Sequence, residues 1–364
     1  MARKPNVLPS YLLHKASGQA RCRINGRDYL LGEYGSEASR IRYGELISKV
    51  AGGLQIDPLA KSNRGKVPRN ELETDSGISI SELILAFTKH AAAHYVKNGL
   101  PTSEQHCIRS AVRPLRELYG LTPAKDFGPL ALKAVRIKLV ESGMARTGVN
   151  GSIGRIRRLF RFGVENELVP VDVLQRLQAV APLLSGRTEA HDNAPRHAVD
   201  QADIDIVRGL VSPLVRDLID LQRLTGCRSG EMLGLTPGMI DRTGEVWKAA
   251  LVDHKTQHHG QSRMLHFGPQ AQLILARYLS ADPTQPLFSI IRTAYCRAIT
   301  RACERAEIER WVPHQLRHTT ADIVRQRFGL EHAQSVLGHS KASMSEHYAK
   351  AGHSKASEVA LLIG

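Results

Sequence analysis

Six residues in the last third of the chain have side chains that together could cleave a phosphodiester bond. Attack on phosphorus places more negative charge on the equatorial oxygens, which planar guanidinium groups are suited to stabilise. A tyrosine nucleophile, whose hydroxyl has an ordinary pKa of about 10, also needs a group that accepts its proton. The six residues are Arg228, Lys255, His314, Arg317, His339 and Tyr348.

Each residue can be given one task in this reaction. Arg228 and Arg317 stabilise the phosphate charge, and His314, three positions before Arg317, accepts the proton of Tyr348. The ammonium group of Lys255 protonates the departing 5′ oxygen. His339 donates a hydrogen bond to a non-bridging oxygen, and Glu231, about one helical turn after Arg228, holds that arginine in place.

Each of these signals is weak when it stands alone. A His-x-x-Arg pair is common by chance, and Leu-Gly-His-Ser around His339 is usually only the end of a helix. Tyr348 alone would more often be a half-buried aromatic residue, and Lys255 a solvated lysine in a turn. What favours a site is the conjunction, because all six occur in one order and Tyr348 follows His339 by nine positions.

This order and spacing resembles the tyrosine recombinases, or phage integrase family. The resemblance implies a site-specific recombinase in which Tyr348 forms a 3′-phosphotyrosyl link and the freed 5′ hydroxyl attacks the partner duplex through a Holliday junction. It also implies a tetramer on double-stranded recombination or attachment sites, a monomer when free, and no ATP, cofactor or metal. The need for accessory DNA-bending proteins is left open.

Other functions fit some of the same residues. A metal-dependent nuclease could use His254, His258, His259 and His266, but no carboxylate lies in residues 255–266. A DNA-binding protein of recombinase ancestry that no longer cuts would have no physical need for a nucleophile. A relaxing enzyme of the type IB topoisomerase kind would use nearly the same chemistry, so the site alone leaves it open.

The composition favours a polyanionic partner. The 364 residues carry a net charge of +15, for which nucleic acid is the default explanation. Five cysteines form no Cys-x-x-Cys pair, and no apolar run is long enough to span a membrane. We therefore expect a cytoplasmic protein, without a signal peptide, that acts on DNA. The family resemblance implies that this DNA belongs to a mobile element.

Positive charge is concentrated at the N-terminus, where residues 1–70 hold 13 Lys or Arg and 5 Asp or Glu. Asn25-Gly26 between two alternating segments predicts a hairpin with a type I′ turn, and a helix is expected over 36–50. This module resembles the arm-type DNA-binding domains found ahead of many phage-type integrases; a merely soluble β module, or one that binds protein, is the alternative. Its DNA-binding candidates are Arg21, Arg23 and Arg27, followed in the linker by Lys61, Arg64, Lys66 and Arg69.

Four helical patterns follow, over 81–97, 103–119, 129–141 and 147–165, and resemble the core-binding domain of the family. In the last pattern, arginines interleave with apolar residues, so that one face can pack while the other meets phosphate. These DNA-binding candidates are Arg155, Arg157, Arg158 and Arg161.

The predicted fold class is multidomain and mainly α: a small β-sheet-plus-helix N-terminal module, a four-helix core-binding domain, and a mixed α/β, mostly helical, tyrosine recombinase catalytic domain with a C-terminal tail. In the last domain a buried helix ends before Arg228, and strands over 245–251 and 262–267 place Lys255 at a hairpin tip. Tyr348 is expected on a helix that begins near Met344. The predicted boundaries are 1–56, 57–78 (linker), 79–184, 185–196 (linker) and 197–364.

Overall fold

The structure is a computed structural model that describes residues 8–54, 77–97, 99–251 and 263–338. The chain divides into two compact units, Met1–Ala194 and Pro195–Gly364. Each unit has its own apolar core. The predicted domain boundaries themselves stay predictions.

The N-terminal sheet has three antiparallel strands, β1 (Leu12–His14), β2 (Gln19–Ile24) and β3 (Arg27–Glu33), which lie side by side in that order. Asn25 and Gly26 connect β2 to β3 with φ of 48° and 82°, the left-handed pair that a type I′ turn requires. The predicted hairpin is therefore confirmed, while β1 is an addition.

Helix α1 (Glu37–Ala51) follows the sheet and begins where Ser36 accepts a hydrogen bond from the N–H of Ser39. One side of α1 covers the inner face of the sheet. The opposite side buries Ile47 in the core of the helices that follow, and Ser48 shares a 2.8 Å hydrogen bond with the Tyr119 hydroxyl. The basic module is thus packed onto the helical part of its own unit.

The four predicted helices are present, and a short fifth follows them. Val173 and Leu177 bury one side of this fifth helix, which is too short to give a clear periodic signal. Two two-residue strands, β4 (Val96–Lys97) and β5 (Leu100–Pro101), lie between the first two. The helices are α2 (Ile80–His94), α3 (Ser103–Tyr119), α4 (Pro129–Glu141), α5 (Arg146–Glu165) and α6 (Val171–Gln178).

The second unit is mostly helical around one small antiparallel sheet of three strands, which lie side by side in chain order. Its strands are β6 (Ile240–Asp241), β7 (Trp247–Leu251) and β8 (Arg263–Phe267). Its described helices are α7 (Gln201–Leu210), α8 (Pro213–Thr225), α9 (Ser229–Leu233), α10 (Pro269–Ala276), α11 (Arg292–Arg305), α12 (Pro313–Phe328) and α13 (Leu330–Leu337).

Helices α8 and α12 pack together in this unit. Leu218 and Leu221 bury one side of α8, and the Thr320 hydroxyl of α12 donates a 2.9 Å hydrogen bond to the Arg223 carbonyl. Helix α8 ends at Gly226, whose φ of 61° is left-handed. This packing brings the predicted site residues of α12 against the turn that leads to Arg228. None of the described helices is both long and apolar enough to cross a membrane.

Candidate active site

Arg317 lies in the first half of α12 and is only 1 % exposed. Its Nη1 donates to the Gly226 carbonyl and its Nη2 to the Leu337 carbonyl, each at 2.6 Å. Gly226 stands two positions before Arg228, and Leu337 two positions before His339. One buried guanidinium therefore fixes the two backbone segments that lead to two other predicted catalytic residues.

The turn before Arg228 is held from a second side. The buried Gln222 amide donates a 3.1 Å hydrogen bond to the Cys227 carbonyl and accepts a 2.9 Å one from the Tyr295 hydroxyl. The consecutive carbonyls of Gly226 and Cys227 both accept hydrogen bonds from buried side chains, so the backbone of this turn has little freedom to move. Sequence reasoning missed Gln222, because a polar residue on an apolar helix face looks like surface until its partners are known.

Arg228 contacts Glu231, the residue proposed from the sequence to support it. The Glu231 carboxylate accepts the Arg228 backbone N–H at 2.8 Å through Oε2 and the guanidinium Nη1 at 2.5 Å through Oε1. The Glu231 side chain is 6 % exposed, whereas that of Arg228 is 31 % exposed. Arg228 is thus anchored at a buried carboxylate while part of its guanidinium faces solvent.

Opposing influences act on the pKa of the Glu231 carboxyl. Burial raises its pKa, but the hydrogen bond from the Arg228 N–H and the charges of Arg228 and Arg263 lower it by more. The net pKa lies below the ordinary value. Glu231 is therefore ionised at neutral pH and can hold a cation in place.

His314 lies one turn before Arg317 on α12 and is partly buried. Burial lowers its pKa, and the charges of Arg317, Arg228, Arg196 and Arg292 lower it further. Its ring centroid is 5.3 Å from that of His318, with the planes at 87°. A neutral imidazole has a lone pair, so His314 at neutral pH is in the form that can accept a proton.

Three predicted catalytic residues, Lys255, His339 and Tyr348, lie outside the described residues. The structure does describe the strands on either side of the segment that contains Lys255 and the helix that precedes His339. Strands β7 and β8 are antiparallel neighbours on either side of residues 252–262, close to the predicted bounds, and Leu251 pairs with Arg263. Helix α13 ends at Gly338 with φ of 61°, directly before His339. Their positions in the site stay predictions.

Arg263 was not among the predicted site residues. It begins β8 with a side chain that is 6 % exposed, donates from Nη1 to the Val336 carbonyl at 3.1 Å, and places Nε 3.9 Å from Glu231 Oε2. The alternation in β8 could have found it, because Arg263, Leu265 and Phe267 all face inward.

The DNA-binding candidates of the N-terminal sheet lie on β2 and β3. Arg21 Nη1 donates a 3.0 Å hydrogen bond to Asp28 Oδ2, and Arg23 Nε lies 3.6 Å from Asp28 Oδ1. Arg27 is exposed. The linker candidates Lys61, Arg64, Lys66 and Arg69 lie outside the described residues. Phosphate contact by any of these residues stays a prediction.

The arginines of α5 have different surroundings. Arg155 binds both carboxylate oxygens of Glu104, at 3.0 and 2.8 Å, and Arg158 binds the same carboxylate at 2.8 Å. Arg157 donates to the carbonyls of Leu177 and Val180. Arg155 and Arg158 therefore share Glu104, and Arg157 contacts the last turn of α6 and the residue Val180 beyond it. Arg161 is exposed.

No cluster of three or more His, Cys, Asp or Glu side chains fit to hold a metal ion occurs in the described ranges. Of the four histidines considered for a metal site, only His266 is described, and it lies on β8. Burial, followed by the charges of Lys248 and Arg263, lowers its pKa.

Comparison with known protein families gives one match. Residues 212–355 match the sequence model of the phage integrase family, a range that includes all six predicted catalytic residues. No curated protein matches the chain.

Several solved structures share the fold. The Tn1549 transposon integrase (residues 82–397) in complex with a circular intermediate DNA matches at 16 % identity and a TM-score of 0.58, over 78 % of this chain and 99 % of its own. The lambda integrase dimer bound to a COC′ core site matches at 14 % and 0.59, over 97 % of both chains. The lambda integrase tetramer bound to a Holliday junction matches at 13 % and 0.58, over 96 % of both. The predicted fold class is confirmed.

Proposed function

We propose that this protein is a site-specific DNA recombinase of the tyrosine type, because residues 212–355 match the sequence model of the phage integrase family. It cleaves and rejoins double-stranded DNA through a 3′-phosphotyrosine and exchanges strands through a Holliday junction. The matched range includes all six residues whose order and spacing resemble the family pattern.

The observation that carries the proposal is the pair of hydrogen bonds from Arg317 to the Gly226 and Leu337 carbonyls. Preorganised donors lower a barrier only if they are already fixed where charge develops. Arg317 fixes the segments that lead to Arg228 and His339, and Glu231 fixes the Arg228 side chain. The arrangement therefore supports a site built to hold one phosphate.

The roles of the individual residues follow from their chemistry. Arg228, whose side chain is 31 % exposed, donates hydrogen bonds to the phosphate from the exposed part of its guanidinium group. The buried Arg317 adds positive charge to the same site. Neutral His314 accepts the proton of Tyr348 as its oxygen attacks phosphorus. Lys255 protonates the 5′ oxygen that leaves, and His339 donates to a non-bridging oxygen.

We further propose that the protein works inside the cell as a tetramer on two DNA duplexes and is a monomer when free. The structural neighbours bound to a circular intermediate, a core site and a Holliday junction support DNA sites of this kind as substrates. The net charge of +15 suits such a partner.

An exchange assay with supercoiled plasmids separates this function from its alternatives. The plasmids carry the DNA that flanks the gene, where an attachment site of a mobile element would lie. We expect new joints between plasmids, detected by amplification across them. Relaxation without new joints would instead indicate a topoisomerase-like enzyme, and binding without either would indicate a protein that no longer cuts.

A further inference from the structure

Arg263 is a buried arginine of the second unit, Pro195–Gly364, and is not one of the six predicted catalytic residues. Its position at the start of β8, opposite Leu251, turns its side chain inward, where it is 6 % exposed. A charged group at such depth is costly unless partners compensate for lost water. Its contacts therefore indicate why it is there.

The first contact is with the end of α13. Nη1 of Arg263 donates to the Val336 carbonyl at 3.1 Å. Gly338, two positions on, leaves room for the guanidinium: a Cβ built there would lie 2.1 Å from Nη1. The end of α13 is thus shaped around Arg263, just before the position of His339.

The second contact is with the carboxylate that orients Arg228. Nε of Arg263 lies 3.9 Å from Glu231 Oε2, and both side chains are 6 % exposed. The same Oε2 accepts the Arg228 N–H, and Oε1 accepts the Arg228 guanidinium. One buried carboxylate is therefore shared by two guanidinium groups, one of them reaching solvent.

The arginine has unused donors. Among the described residues, Nε and Nη2 of Arg263 are buried without a hydrogen-bond partner. Buried polar groups are nearly always hydrogen-bonded, so an exception calls for a reason. Since an N–H···O bond is about 2.9 Å long, a movement of roughly 1 Å would turn the contact with Glu231 into a hydrogen bond.

We propose that Arg263 is a positioning residue for phosphate cleavage: it fixes the Glu231 carboxylate, and through it Arg228, relative to the end of α13. This inference rests on the proposed function. The fork geometry is essential, because one nitrogen must reach Val336 while another faces Glu231. A lysine keeps the charge but cannot serve both places.

The test compares two scissile phosphates in single-turnover cleavage of a nicked duplex that traps the 5′ hydroxyl. One duplex carries an ordinary phosphate and the other a methylphosphonate, which lacks the negative charge that Arg228 stabilises. On the ordinary phosphate we expect Arg263→Lys to be at least tenfold slower than the wild type. On the methylphosphonate the gap should narrow to about threefold or less, since a misplaced Arg228 matters less there.

Further variants test the coupling of Arg263 to Glu231 and control for the loss of an ion pair elsewhere in the unit. Glu231→Gln combined with Arg263→Lys should be hardly slower than Glu231→Gln alone, because both changes disturb one chain of contacts. Arg277→Lys is the matched control: it loses a 2.8 Å pair with the buried Asp217 in the same unit and should cleave both duplexes like the wild type. Should Arg263→Lys not fold, Gly338→Ala displaces the same guanidinium and should show the same dependence on the phosphate.

The role of Arg263 would be overturned if Arg263→Lys slowed cleavage of both duplexes by the same factor and its effect added to that of Glu231→Gln. Cleavage by Arg263→Lys at the wild-type rate would also overturn it. Absence of cleavage by the wild-type protein on both duplexes would instead overturn the proposed function.

Discussion

Arg317 and Gly226 are 91 positions apart in the sequence, yet a 2.6 Å hydrogen bond joins the Arg317 guanidinium to the Gly226 carbonyl. Gly226 adopts a left-handed φ of 61°, and a Cβ there would lie 3.2 Å from Leu337 and Thr320. The arginine, the turn before Arg228 and the end of α13 thus form one packed unit. Its central member is also a predicted catalytic residue.

Replacing Arg317 with lysine should harm stability as well as activity. A lysine nitrogen cannot reach the Gly226 and Leu337 carbonyls together, so a buried acceptor loses its partner. We expect the free energy of unfolding to fall by about 2–3 kcal/mol and cleavage to fall at least 100-fold. Denaturant unfolding and single-turnover cleavage measure the two effects. Wild-type stability in the variant would contradict the bridging role of Arg317.

The rate of cleavage should depend on the protonation of His314. Because burial and nearby arginines lower its pKa, the acid limb of the pH–rate profile should lie below the ordinary histidine value of about 6.5. Arg292→Gln removes one of these charges and should shift the limb to higher pH. The same change at the exposed Arg242 should leave the limb in place, and equal shifts in the two variants would argue against His314 as the base.

His318 should make the fold sensitive to acid. Burial, and then the neighbouring His314 and Arg317, lower its pKa to about 4. Between about pH 6.5 and 4 the unfolded chain binds a proton that the folded chain does not, so stability falls as the pH falls through this window. His318→Gln should weaken this dependence of the melting temperature, while the exposed His106→Gln should not. A variant that kept the full acid sensitivity would rule out His318 as a major source.

Glu104 should restrain DNA binding by α5. Its carboxylate holds both Arg155 and Arg158, and their guanidinium groups lower its pKa despite opposing burial. If these arginines face phosphate, Glu104→Gln should free them, tighten non-specific duplex binding and steepen its salt dependence by about one unit of slope per new phosphate contact. Glu117→Gln, on the same helix and paired with Arg113, is the control for charge alone. Equal effects of the two variants would show that the arginines do not contact DNA.

Local signals predicted much of the fold. Helices α3 and α4 begin and end at the predicted residues, and the Asn25-Gly26 turn has the predicted backbone. The formation of these elements is determined by residues only a few positions apart, and such short spacings can be read directly from the sequence. Strand β1 and helix α6 were missed because they are short and depend on packing partners from elsewhere in the chain.

Within the site, residue types were easier to predict than their partners. The pairing of Arg228 with Glu231 spans three positions and was predicted. The pairing of Glu104 with Arg155 spans 51, and the hydrogen bond from Arg263 to Val336 spans 73. Such contacts are consequences of tertiary packing, so arginines assigned to phosphate proved to have protein partners as well.

Trapping the covalent intermediate tests the central proposal most directly. With a nicked duplex from the flanking DNA, the wild-type protein should form a protein–DNA adduct that resists denaturation and that forms equally well in the presence of a chelator. Tyr348→Phe keeps the ring, removes the nucleophilic oxygen and should form none. An adduct formed by Tyr348→Phe, or a wild-type adduct abolished by the chelator, would contradict the account.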